Sequence, residues 1–111
     1  MKITFNHKEK PITIDAKNCN ILEKARGLMF RKKENAPILL FDFKKQSKNP
    51  IHSLFCFFDF LGIWLDDKNK IVAIKKVKPW KLIINQPQPF TKLIEIPINK
   101  KNKDLINQFL Q

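Results

Sequence analysis

Four side chains in this sequence could line a site: Arg26, Met29, His52 and Trp80. His52 is the one that titrates near neutrality. To act as general acid or base it needs a carboxylate or a nucleophile within hydrogen-bond reach. Ser53 and Cys56 are the nearest hydroxyl and thiol, but as strand neighbours of His52 they can point elsewhere. An isolated histidine in an apolar setting is commonly a hydrogen-bonded core or rim residue, and His7, expected within a turn, reads the same way. Trp80, between Pro79 and Lys81, either rims a pocket or caps the open end of the core. Arg26 and Arg31 are the only arginines among 22 basic side chains. The planar fork of Arg26 suits a fixed carboxylate, and Glu95 is its natural partner. A structural Arg26–Glu95 ion pair is favoured over anion binding.

The sequence contains no metal-ligand spacing, phosphate loop or nucleophile elbow, and two glycines cannot make a glycine-rich cradle. No catalytic residue, metal site or cofactor is therefore assigned. Asp59 sits inside an apolar run, where an unpaired buried charge is expensive. It either reaches water from a strand end or bulge, or has a cationic partner, with Arg26 or Lys81 as candidates. Cys19 and Cys56 are far apart and outside any CxxC pair. Two small apolar residues in a reducing compartment are expected, with a disulfide or metal pair as the alternative.

With 111 residues, 43% of them hydrophobic and ten of them Phe, the chain can bury one core, and a single domain spanning residues 1–111 is expected. The N-terminus lacks the apolar stretch of a signal peptide. The longest apolar stretch, from Ile51 to Leu65, is too short to span a membrane and carries Asp59. A cytoplasmic location follows as an expectation. The formal charge is +12 and the isoelectric point about 9.9. The charge is almost all lysine, which gives a diffuse field rather than the bidentate recognition that arginine supplies. The abundance of Asn, Ile and Phe fits AT-rich coding, and compositional drift of that kind would raise the lysine count without any polyanion partner.

These residues must be held by elements legible in the periodicity. Ile3 and Phe5, then Ile12 and Ile14, alternate about a polar turn at residues 6–10 and predict a β-hairpin. Ile21, Leu22, Ala25, Leu28 and Met29 recur on one helical face, capped by Asn18 or Asn20, with Gly27 at the helix end or at a close backbone contact. Residues 37–43 read as a buried strand and 44–50 as a flexible loop. Leu54 to Phe58 reads as a central strand covered on both faces. Gly62 to Leu65 and Ile71 to Val77 flank the turn Asp66-Asp67-Lys68-Asn69. Gln86-Pro87-Gln88-Pro89 is an extended loop. From 93 to 98, Ile94, Ile96 and Ile98 face one way and Leu93, Glu95 and Pro97 the other. Leu105, Ile106, Phe109 and Leu110 have helical spacing. The expected fold is mainly β: a small antiparallel β-sandwich or partly closed barrel, with one packed α-helix and a short C-terminal helix.

Taken in order, these segments resemble the family called domain of unknown function 192, also known as uncharacterised protein family 0127. Ala25-Arg26-Gly27-Leu28-Met29-Phe30-Arg31 resembles its signature. Residues 38–43 (ILLFDF) are similar to its "gMLFvF" strand and 51–58 (IHSLFCFF) to its "IHTFFMRF" segment. Ile63-Trp64-Leu65-Asp66, Lys78-Pro79-Trp80-Lys81 and Leu93-Ile94-Glu95-Ile96-Pro97 then follow like "vFLD", "PPWR" and "vLELP". The likeness covers roughly residues 12–100 and implies a small β-rich fold with no established activity. Matching motif positions are Arg26, Gly27, Met29, His52, Asp66, Trp80 and Glu95. Three departures stand out. The acid usual three residues after Phe58 is Leu61, with an acid instead at Asp59; the methionine of the "IHTFFMRF" segment is Cys56; and the glycine after "ELP" is absent.

A binding role survives those losses more easily than catalysis. The leading expectation is a non-catalytic module that binds a small molecule or a protein segment in a cleft near His52, Met29 and Trp80. The alternatives are an enzyme using His52 as acid or base, and nucleic-acid binding through surface lysines. The last requires lysines clustered on one face and a salt-dependent affinity.

Overall fold

The computed structural model describes residues 1–19, 28, 31–47, 56–80 and 89–110. Strands β1 (Lys2–His7) and β2 (Lys10–Asp15) form the first hairpin, pairing Ile3 with Ile14 and Phe5 with Ile12. That register puts all four apolar side chains on one face. The two-residue turn needs the left-handed region at both positions, and Lys8 and Glu9 occupy it at φ 51 and 67. Each non-glycine residue held there costs about 1 kcal/mol. Glu9→Gly is therefore expected to raise the denaturant midpoint, adding about 1 kcal/mol of stability. A lower midpoint would mean that the Glu9 side chain itself stabilises the turn.

The second sheet holds β3 (Lys17–Asn18), β4 (Leu39–Ser47), β5 (Phe60–Leu65), β6 (Ile71–Val77) and β7 (Phe90–Pro97), in the order β3-β4-β7-β5-β6. All its pairings are antiparallel except that of β3 with β4. Helix α1 (Lys103–Leu110) follows. The fold is mainly β with two sheets, and the open order of the larger one means that they do not close into a barrel. The segments predicted as the first helix, with Gly27, and as the Gln86–Pro89 loop lie outside the described residues, apart from Leu28 and Pro89.

Each face of the five-stranded sheet carries its own core. On the first, Leu40, Leu61, Ile63, Leu65, Ile94 and Ile96 pack against the hairpin's Ile3, Phe5, Ile12 and Ile14 and against Ile106 and Phe109 of α1. On the second, Leu39, Phe41, Phe60, Trp64 and Leu93 join Cys19, Ala36, Cys56, Phe58, Val77 and Phe90. The alternation read in β7 is what divides these faces. The β5–β6 turn also forms as its residues require. Asp66 Oδ1 accepts hydrogen bonds from the backbone N–H groups of Lys68 and Lys70, both at 2.9 Å, and Asn69 takes φ 59.

Two expectations fail. Cys56 to Phe58, the described part of the expected central strand, has no strand pairing, and Phe57 is exposed rather than covered. The doubly covered strands are β5 and β7. The apolar run does not stop at Phe58, so its composition alone gives no phase for where pairing begins. Strand β4 also runs on to Ser47, through residues expected to be loop. Its register against β7 shifts between Asp42 and Ser47, so an irregular stretch carries it through the polar sequence.

Candidate functional site

The site lies on the second face of the sheet, where strand register sets a row of unlike residues side by side. Glu95 of β7 pairs with Leu39 of β4 on one side and Gly62 of β5 on the other, and Gly62 pairs in turn with Lys75 of β6. Gly62 is needed there. A Cβ on it would lie 2.8 Å from Cζ3 and Cη2 of Trp64, so the indole lies directly over the glycine. Trp64 is fully buried, and the Lys75 ammonium sits 5.8 Å from the centre of its ring. The indole thus fills the space above the strand that separates Glu95 from Lys75.

Glu95 is buried among apolar groups, and among the described residues none gives it a hydrogen bond or an ion pair. Loss of hydration penalises the carboxylate and pushes its pKa from an ordinary 4.5 to about 8. At neutral pH it is largely a protonated acid, able to donate a hydrogen bond. The buried Cys56 thiol donates to the Phe58 carbonyl at 3.3 Å. Burial pushes its pKa up, and the Glu95 and Asp59 carboxylates add to the rise. A thiol held in its neutral form is a poor nucleophile.

At the end of β5 and β6 this face meets solvent. Asp59, just before β5, reaches water and pairs with Lys76 at 3.8 Å. So exposed a pair contributes little to stability. Beside it stand Phe57, 60% exposed, and Trp80, 50% exposed, with ring centres 5.4 Å apart and planes at 73°. Trp80 has φ 62, an outlier for a bulky side chain.

Of the sequence-derived candidates, Trp80 and Glu95 are placed, on this face and at its margin. Arg26, Met29 and His52 lie outside the described residues, as do Ser53 and Lys81. Phe57 and the Gly62–Trp64 pair were not singled out by sequence. Phe57 sits in an apolar run with no mark of exposure, and the role of Gly62 needs the register. Among the described residues no three His, Cys, Asp or Glu side chains form a metal-binding group, and Cys19 and Cys56 are buried and form no disulfide. Nor is any helix among them long and apolar enough to cross a membrane.

Two clefts open elsewhere. One of about 400 Å³ is lined by Met1, Asp15, Ala16, Lys17, Pro37, Ile38, Lys101 and Asn102. The other, of about 420 Å³, includes His7, the last residue of β1. The His7 ring lies 5.1 Å from that of Phe109, and its Nε2 is buried with no hydrogen-bond partner among the described residues.

Two solved structures share the fold. A protein of Sinorhizobium meliloti 1021, which carries the provisional name of a transcription regulator, superposes with a TM-score of 0.74 at 18% identity, covering 92% of this chain and 81% of its own. A protein of unknown function from Novosphingobium aromaticivorans DSM 12444 gives 0.71 at 15% identity, covering 94% of this chain and 76% of its own. No curated protein matches the sequence. The sequence pattern of domain of unknown function 192, an uncharacterised family, matches residues 3–107, nearly the whole chain. That match agrees with the ordered motifs and with the mainly β architecture, and the chain belongs to this family.

Proposed function

We propose that this chain is a non-catalytic binding module whose recognition surface is the Trp80–Phe57 pair at the margin of the second sheet face. The observation that carries the reading is Trp80 itself, held at φ 62 with half its surface in water. Backbone strain at a half-exposed aromatic persists where the surrounding structure holds a side chain in a set direction. Two large exposed rings in contact form an apolar surface suited to a flat or apolar group on a small molecule or protein segment. The neutral Cys56 thiol beneath does not favour nucleophilic chemistry. As part of the same proposal, the two buried cysteines, which form no disulfide, suit a reducing, cytoplasmic setting. The two cores share β4, β5 and β7, which supports one folding unit.

A thermal-shift screen against metabolites and peptides tests this. A ligand at a hundred times its dissociation constant adds about 2.7 kcal/mol of apparent stability. Trp80→Gly should abolish that gain while leaving the free protein no less stable, because glycine relieves the left-handed strain. A ligand whose effect is unchanged in Trp80→Gly overturns the proposal. So does a large loss of stability in that variant, which would identify Trp80 as a core cap.

A further inference from the structure

The lysines of this protein are not all alike in their setting. Asn99 is buried between β7 and α1, and its Oδ1 accepts a hydrogen bond from the Asn102 backbone N–H at 2.9 Å. Its Nδ2 donates to the Lys33 carbonyl at 2.8 Å, across 66 positions of sequence. Asn102, also buried, donates through Nδ2 to the Pro97 carbonyl at 2.9 Å. The Asn99 amide fastens the turn carrying Lys32 and Lys33 to the corner carrying Lys100, Lys101 and Lys103, and Asn102 ties that corner back to the end of β7. All five lysines are exposed. Lys101 and Lys17 line the same 400 Å³ cleft, which extends the basic surface to β3. The acids beside these groups are Asp15, Glu34 and Asp104. Among the described residues no aromatic side chain is exposed among the five lysines, while Arg31, half-buried, precedes Lys32 and the exposed Met1 lines the cleft with Lys101.

We infer that this corner is a docking surface for the phosphate backbone of double-stranded nucleic acid, bound without regard to sequence. Clustered lysines act as point charges on phosphates and carry no base information. Drift in composition accounts for many lysines. It does not by itself place a buried Asn99 amide on the Lys33 carbonyl, the contact that holds two separate lysine clusters at one corner. This surface is distinct from the Trp80–Phe57 margin, and neither assignment depends on the other.

Titration of the full chain with a labelled mixed-sequence DNA duplex, at several salt concentrations, decides the matter. Each phosphate neutralised contributes about −0.9 to the slope of log affinity against log salt. With three or more contacts, affinity should fall by roughly 40-fold or more between about 50 and 200 mM salt. Lys32→Gln with Lys33→Gln, and separately Lys100→Gln with Lys101→Gln, should each make the slope shallower by about 2. Lys68→Gln with Lys70→Gln, in the exposed β5–β6 turn, should leave it nearly unchanged, and so should Trp80→Gly. Equal effects from the corner and turn variants would mean a diffuse field and overturn the inference, as would a flat salt dependence or no binding. Melting curves of these exposed-site variants verify that each is folded.

Discussion

Raising the pH from about 5 to about 8.5 should destabilise this protein through Glu95 alone, by roughly 1.4 kcal/mol per pH unit and on the order of 4 kcal/mol in all. The carboxyl has a pKa of about 8 in the fold against an ordinary 4.5, with burial as the cause. Between those values the native state holds a proton that the unfolded chain has released, so stability falls as pH rises. The contribution is complete below about 4.5 and is lost through about 8. Other groups titrate in the same range, and Glu95→Gln isolates this one, because glutamine stays neutral throughout. The stability of the native protein, measured by urea unfolding and taken relative to Glu95→Gln, should decline steadily across the window. An Arg26–Glu95 ion pair would depress the carboxyl pKa instead, so that stability would rise with pH only below about 4.5 and stay flat across this window. A relative stability that is flat across the window would show that Glu95 is ionised in the fold and contradict the raised pKa.

The second large effect is expected at Gly62. An alanine Cβ there would stand 2.8 Å from two atoms of the Trp64 ring. Trp64 is buried under Phe60, Leu93 and their neighbours and has little room to give. Overpacking of this kind costs about 2–3 kcal/mol. Trp64→Phe shortens the ring on the side that meets Gly62, leaving a void of its own. If the clash is the cause, the two changes together should be less destabilising than their sum by about 1 kcal/mol or more. Simple additivity in chemical denaturation would contradict the contact. The same pair bears on Glu95, since the indole over Gly62 keeps water and Lys75 away from the carboxyl. Trp64→Phe is accordingly expected to bring the midpoint of the Glu95 transition closer to the ordinary carboxyl range.

Elements with an unambiguous period were legible in the sequence. The Ile94-Ile96-Ile98 alternation divides the two faces of β7, the first hairpin pairs as its apolar residues require, and Asp66 closes the turn before β6. The apolar run through Phe58 was not legible as to where its strand begins, since a stretch apolar at every position has no phase. Strand β3 is two residues long and leaves no pattern at all. Part of the site was visible too. Glu95 could be assigned to the non-Ile face and Trp80 to the edge of the core or its rim. The protonation of Glu95 depends on what stands across the neighbouring strands, and only the register gives Leu39 and Gly62 there. The exposure of Phe57 and the left-handed backbone of Trp80 are set by tertiary packing.

The binding proposal rests on one tryptophan of two. Trp64 is buried and Trp80 is half exposed, so their indole N–H groups give two separable resonances in a nitrogen–proton correlation spectrum. With a ligand that raises thermal stability, the Trp80 signal should shift or broaden on titration while that of Trp64 stays in place. An unmoved Trp80 resonance at saturating ligand would contradict the assignment of the Trp80–Phe57 margin as the recognition surface.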